Sequence, residues 1–141
     1  IKKIIDNNKN IFWIIVSKNH EDKLNNCKNI LQFNKINQHL LSGLYNIADF
    51  FIIGSPSETQ CLAAIEACFC NTPIIMRNTG FVSNLNEEEK NKIGFIGEHL
   101  EEAVTKMVNE NHSFTPREIV SKYFTIEMMI QKWKKLIDSI S

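Results

Sequence analysis

Two carboxylates, Glu58 and Glu66, stand with seven residues between them in the segment Glu58-Thr59-Gln60-Cys61-Leu62-Ala63-Ala64-Ile65-Glu66. If one helix carried both, the rise between them would be about 12 Å and their directions would differ by about 80°. That spacing excludes a carboxylate pair working on one bond. It suits an extended ligand with hydroxyls at both ends and a polyanion in the middle, the shape of a nucleoside diphosphate sugar. The apolar run Asp49 to Ile53 precedes the segment and reads as a strand, and Gly54-Ser55-Pro56-Ser57 as a turn after it. Ligands of open α/β sheets bind beyond the carboxyl ends of the strands. There, the free N–H groups and dipole of the following helix favour phosphate. No Gly-x4-Gly-Lys loop is present and no Gly-x-Gly-x-x-Gly follows a strand, so neither a P-loop nor a standard dinucleotide fingerprint accounts for the segment.

The same residues have a plainer reading. Ser55, Pro56 and Glu58 match an N-cap, a proline at the first helical position and the partner glutamate of a capping box. That explains Glu58 without a ligand, and a free protein can use it as a cap. Glu66 sits among Leu62, Ile65, Ala67 and Phe69, where a charge is costly unless exposed or paired; a thin solvent-facing stripe is its plain alternative. Lys35, near the end of an earlier strand, is a candidate neighbour of a nucleotide base or ribose. Cys61 and Cys68 share a helical face and are expected in the core. His39 and His99 read as surface residues, and Trp13 and Trp133 as core aromatics.

The elements that must position these groups alternate. Ile11 to Val16 is a continuous apolar run, predicted to be a strand buried on both faces. His20 to Lys28 reads as a short helix, Ile30 to Phe33 as a weaker strand, and Leu40, Leu41, Leu44 and Tyr45 have helical spacing. The helix after the turn is expected to run to about Cys70, with Asn71-Thr72-Pro73 ending it. Ile74 to Met76 follows as a short strand, Arg77 to Lys92 as a polar, irregular stretch, and Ile93 to Ile96 as another strand. The acidic run Glu87 to Glu89 reads as a solvated loop or helix start. Leu100, Ala103, Val104, Met107 and Val108 form one stripe, Pro116 opens a helix, and Thr125 caps a last one carrying Ile126, Met129, Ile130, Trp133 and Ile137. Strands alternating with helices imply a mostly parallel, Rossmann-like sheet with helices on both faces.

Composition sets the outer bounds. The 141 residues suit one domain, and 43% hydrophobic with 23% charged residues is a globular balance. Lys plus Arg and Asp plus Glu are equal at 16 each, so no global field draws the chain to nucleic acid. The four cysteines lack metal-site spacing and read as reduced thiols, which favours a cytoplasmic address. No apolar run approaches the roughly 20 residues of a membrane span. The opening at Ile1, inside a helical pattern, suggests that something precedes it.

Ala48-Asp49-Phe50-Phe51-Ile52-Ile53, Ser55-Pro56-Ser57-Glu58, Leu62-Ala63-Ala64-Ile65-Glu66-Ala67 and Thr72-Pro73-Ile74-Ile75 run in one register. Together they resemble the C-terminal, donor-binding domain of family-4 glycosyltransferases of the GT-B fold, with Glu58 and Glu66 as their Glu-x7-Glu motif. The resemblance covers most of residues 1–141. It implies that Glu58, Thr59, Gln60 and Cys61 meet the donor sugar, that Gln60, Cys61 and Leu62 meet the diphosphate, and that Glu66 binds the ribose hydroxyls. It also implies a retaining transfer of a hexosyl group from a nucleoside-diphosphate donor, UDP-linked by family habit. No metal or other cofactor is expected. The acceptor would be a glycan or lipid-linked hydroxyl in surface-glycan or polysaccharide assembly, bound by an upstream domain that supplies the catalytic residues. The last helix would reach back to that domain, and the whole enzyme would lie at the inner face of the membrane. On this reading the chain is inactive alone. Where the family has glycines after the first Glu, this chain has Thr59, Gln60 and Cys61, and the family's diphosphate-clamping Arg and Lys would precede Ile1. A nucleotide-sugar epimerase and a non-catalytic Rossmann-like module are the alternatives from other classes.

Overall fold

The computed structural model describes residues 2–17 and 28–140, which form two compact units, one up to Leu44 and one from Tyr45 onward. The predicted helix His20 to Lys28 lies, apart from Lys28, outside the described residues.

The first unit holds α1 (Lys2–Asn7), β1 (Trp13–Val16) and β2 (Ile30–Phe33). The strands pair in parallel, from Trp13 opposite Ile30 to Val16 opposite Phe33. Ile4, Ile5 and Trp13 are buried. β1 was expected to be buried on both faces; instead burial falls along it toward its carboxyl end, where the chain leaves the pairing and Val16 is exposed. The side chain of Asn37 accepts the Leu40 N–H at 2.8 Å and so caps α2 (Gln38–Ile47), which runs across the boundary between the units.

The second unit is built on three parallel strands in the order β3 (Phe51–Ile52), β4 (Ile74–Met76), β5 (Gly94–Ile96). β4 is central and all three of its side chains are buried, as a short apolar run between neighbours requires. β3 is shorter than the predicted Asp49 to Ile53, because Asp49 is exposed and only Phe51 and Ile52 meet the ladder, with the amide of Ile53 continuing it to the Ile75 carbonyl at 2.9 Å. β5 approaches β4 so closely that a Cβ on Gly94 would lie 1.9 Å from the carbonyl oxygen of Ile74. Only glycine fits there.

Helices flank this sheet. α3 (Leu62–Phe69) packs on β4 and on α6 (Pro116–Ser121), and α5 (Leu100–Asn109) packs on β4 and β5. Ala64, Ala67 and Cys68 are fully buried along α3, and they meet a core of Ile74, Ile75, Met76, Val82, Ile93, Val104, Ile119 and Val120. α3 ends as predicted at Asn71, left-handed with φ 64°. The Asn71 amide donates to the Cys68 carbonyl and the Thr72 amide to the Ala67 carbonyl, a Schellman closure that releases the chain into β4.

The stretch Arg77 to Lys92, predicted to be irregular, is largely helical. A 3-10 turn spans Gly80–Asn84 and α4 spans Glu87–Ile93. Asn86 and Glu89 close a reciprocal capping box, a signal that lay in the sequence beside the acidic run. The predicted proline start of α6 and the Thr125 cap of α7 (Ile126–Asp138) are both present. Trp133 departs from expectation. No residue of α7 is buried, and Trp133 is 59% exposed, because the apolar stripe of α7 has no cover among the described residues.

Candidate functional site

All three strands of the second unit run the same way, so the chain leaves them at one edge: Gly54 after β3, Arg77 after β4 and Gly97 after β5. The predicted ligand segment lies on the first of these exits. Its conformation corrects the sequence reading. α3 does not begin at the Ser55-Pro56 turn, and Glu58 is not a capping residue. The Ser55 hydroxyl donates to the Ser57 carbonyl at 2.9 Å, residues 53–61 stay non-helical, and the first helical residue is Leu62. Glu58 therefore stands on a loop, half-buried, while Glu66 stands half-buried on the helix. The separation derived for one continuous helix does not apply.

Cys61 makes the entry into α3. It holds a left-handed conformation, φ 63° and ψ 66°, with no side-chain cap bond. A non-glycine residue there costs roughly 1–2 kcal/mol. The backbone here keeps a shape that glycine prefers although the residue is Cys. The amides of Ala64 and Ile65 turn back to the Cys61 carbonyl at 3.1 and 3.3 Å. Those of Leu62 and Ala63 head the helix, where an α-helix offers no acceptor of its own. Cys61 is thus half-buried at the loop rather than in the core, while Cys68 is buried as expected.

A second segment holds the loop in place. The Thr79 hydroxyl accepts the Glu58 N–H at 3.0 Å and donates to the Glu58 carbonyl at 3.2 Å. The Phe81 amide donates to the Gln60 carbonyl at 3.2 Å. Gly80 between them has φ +65°, and a Cβ on it would lie 3.1 Å from the Gln60 oxygen and 3.3 Å from the Glu58 Cβ. Thr79 and Gly80 were not assigned to the site from sequence. The available signal was a Thr-Gly pair just beyond a buried strand, a place where backbones approach closely.

Tyr45 is a further residue of this neighbourhood. Burial pushes its phenol up to about 12, aided by the negative charges of Glu66, Cys70 and Cys61. Burial also raises the Cys61 thiol, and Glu58 adds to the shift against the lowering by the Ala64 amide. Thr72 donates its hydroxyl to the Tyr45 carbonyl at 2.5 Å, and the Tyr45 ring meets Phe51 edge-on at 5.3 Å between centroids. Gln60 and Thr59 are exposed on the loop, and Leu62 is exposed at the helix start. Gln60 also lines a groove of about 440 Å³ with Phe124, Ile126, Met129, Trp133 and Leu136. Lys35 is exposed just after β2, in the first unit.

Parallel strands flanked by helices, with loops leaving one carboxyl edge, define a Rossmann-like α/β fold. Within it, the family described as "Glycosyl transferases group 1" matches residues 4–123, and the chain belongs to that family. The chain is 30% identical over 97 residues to sulfoquinovosyl transferase SQD2 of Arabidopsis thaliana, covering 67% of this chain and 19% of that protein. It is 38% identical over 55 residues to alpha-monoglucosyldiacylglycerol synthase of Streptococcus pneumoniae, covering 39% of this chain and 12% of that protein. The matches thus span about a fifth or less of those relatives.

Proposed function

We propose that this chain is the donor-binding part of a nucleotide-sugar-dependent glycosyltransferase of the Glu-x7-Glu type. The enzyme moves a hexosyl group, with retention, from a nucleoside diphosphate to an acceptor hydroxyl. The observation that carries the reading is the loop Glu58 to Leu62. It is wound through a left-handed Cys61 into the N-terminus of α3, and Thr79 and Phe81 fasten it at the carboxyl edge of parallel strands.

Each residue then has a task. Glu58, on the loop, accepts hydrogen bonds from hydroxyls of the donor sugar. Thr59, Gln60 and Cys61 line the sugar, and the amides of Gln60, Cys61 and Leu62 face the diphosphate. Amides fixed before the reaction stabilise the charge that develops on the leaving diphosphate without reorganising. The helix end supplies positive potential, so no metal is required. Glu66 accepts from the ribose hydroxyls of UDP. The acceptor and the catalytic groups belong to an upstream domain, and the chain alone does not transfer sugar. One relative is named for a diacylglycerol-bearing product and favours a lipid acceptor, with the full enzyme peripheral to the cytoplasmic face of a membrane.

Titration with UDP, followed residue by residue in two-dimensional NMR, tests this. Shifts are expected at Ser57 to Leu62 and at Glu66. Glu66→Ala is expected to weaken binding by about tenfold or more, the worth of hydrogen bonds to a charged acceptor. Absence of binding both here and in a protein extended upstream would sink the reading.

A further inference from the structure

Arg77, at the exit of β4, holds groups from both neighbouring strand exits. Its Nη1 donates to the carbonyls of Gly54 at 3.1 Å and Ser55 at 3.4 Å, the two residues that lead from β3 into the loop. Its Nε lies 3.2 Å from Oε2 of Glu98, just past β5. The Gly97 amide, bonded to the Met76 carbonyl at 3.0 Å, is the last rung of the β4–β5 ladder, so Glu98 is the first residue free of it. We propose that Arg77 is a positioning residue, which sets the loop Gly54 to Gln60 against the exit of β5 and so fixes where Glu58 stands.

Two physical points support this. The Glu98 side chain is 72% exposed, and an exposed ion pair contributes little energy. Its effect is geometric: it orients a planar guanidinium whose other edge is committed to the loop carbonyls. Lysine, a single point of charge on a flexible stem, cannot serve two loops in fixed directions. Arg77 also completes a series. Arg77 grips Gly54 and Ser55, Thr79 grips Glu58, and Phe81 grips Gln60, so one short segment fastens the loop along its whole length.

The consequence for ligand binding rests on the donor-loop reading, while the positioning itself does not, and one experiment on the full-length protein separates them. Amide hydrogen exchange reports the fastening directly, through the Glu58 amide bonded to Thr79 and the Phe81 amide bonded to Gln60. Arg77→Ala is expected to speed exchange at these two amides by about tenfold, the loss of a charge-assisted bond to carbonyls, with core amides of β4 unchanged. Arg77→Lys should give the same speeding, and Glu98→Ala a smaller one. UDP titrated into the same proteins should bind the arginine variants about tenfold more weakly. Unchanged exchange at Glu58 and Phe81, uniform loosening of the whole unit, or full rescue by lysine would overturn the proposal. If wild-type protein binds no UDP while the exchange pattern appears, the donor reading fails and the positioning role stands.

Discussion

Tyr45 carries the clearest titration at the residue scale. An exposed tyrosine loses its proton at a pH of about 10, whereas burial and the nearby anions hold the Tyr45 phenol protonated up to about 12. Between these values the folded chain binds a proton that the unfolded chain has lost, so stability falls as pH rises. The contribution is fully present below a pH of about 10 and is gone above the folded value. Urea midpoints measured from neutral pH into this window should fall for the wild type. The fall should be shallower for Tyr45→Phe, which has no proton to lose; equal slopes would place the alkaline sensitivity elsewhere. Sequence gave access to some of this neighbourhood and not the rest. Glu58 and Glu66 were picked out in the sequence by type and spacing, although the helix that was to join them begins only at Leu62. Thr79 and Arg77 were not, because each acts on backbone groups some twenty residues away, and no periodicity marks such a contact. The left-handed Cys61 was hidden for a related reason: the residue type argues against the conformation that the loop imposes.

Elements were read well where a local signal and burial agreed. The Schellman end of α3, the buried β4 and the proline start of α6 are each written in a few adjacent residues. The start of α3 was misplaced because Ser55, Pro56 and Glu58 carry every mark of a helix start, yet tertiary bonds from Thr79 take the Glu58 backbone instead. The start of α4 was one of two readings of the acidic run Glu87 to Glu89, but its body was left irregular for the opposite reason, since its polar sequence conceals a helix held mainly at its ends. Glu89 is central to that hold. It is 7% exposed, returns a bond to the Asn86 amide, and accepts the Tyr123 hydroxyl at 2.8 Å from beyond α6. The Tyr123 bond lowers its carboxyl below the ordinary range, with the Asn86 amide and Lys122 adding to the effect. A depressed carboxylate stabilises the fold above its unfolded value, and that contribution is lost as pH falls through the folded value. Glu89→Ala should therefore cost about 1–2 kcal/mol at neutral pH through the lost cap and hydrogen bond. The difference from wild type should shrink toward acid pH. Denaturant unfolding across that range measures it, and a gap independent of pH would assign the loss to packing instead.

At the scale of the whole chain, the open question is what α7 packs against. α7 has 13 residues, none buried, with Ile126, Met129, Ile130, Trp133 and Ile137 exposed along it. A helix of this length is marginal in water without tertiary cover, so its apolar face needs a partner. The family match ends at Tyr123, before this helix begins. On the proposed reading the partner is an upstream, acceptor-binding domain to which the last helix returns. On that reading, removing residues 125–141 from the full-length enzyme separates two functions. The donor loop is fastened by Thr79 and Phe81, both ahead of the cut, so UDP binding should persist. Sugar transfer should be lost, because nothing then holds the donor loop against the acceptor. Calorimetric titration with UDP and an assay of transfer on the truncated protein distinguish the outcomes. Retained transfer would show that α7 is dispensable to the union of the domains. Loss of UDP binding would give α7 a different task, as the wall opposite Gln60 in the groove they share, and would make that helix part of the donor site itself.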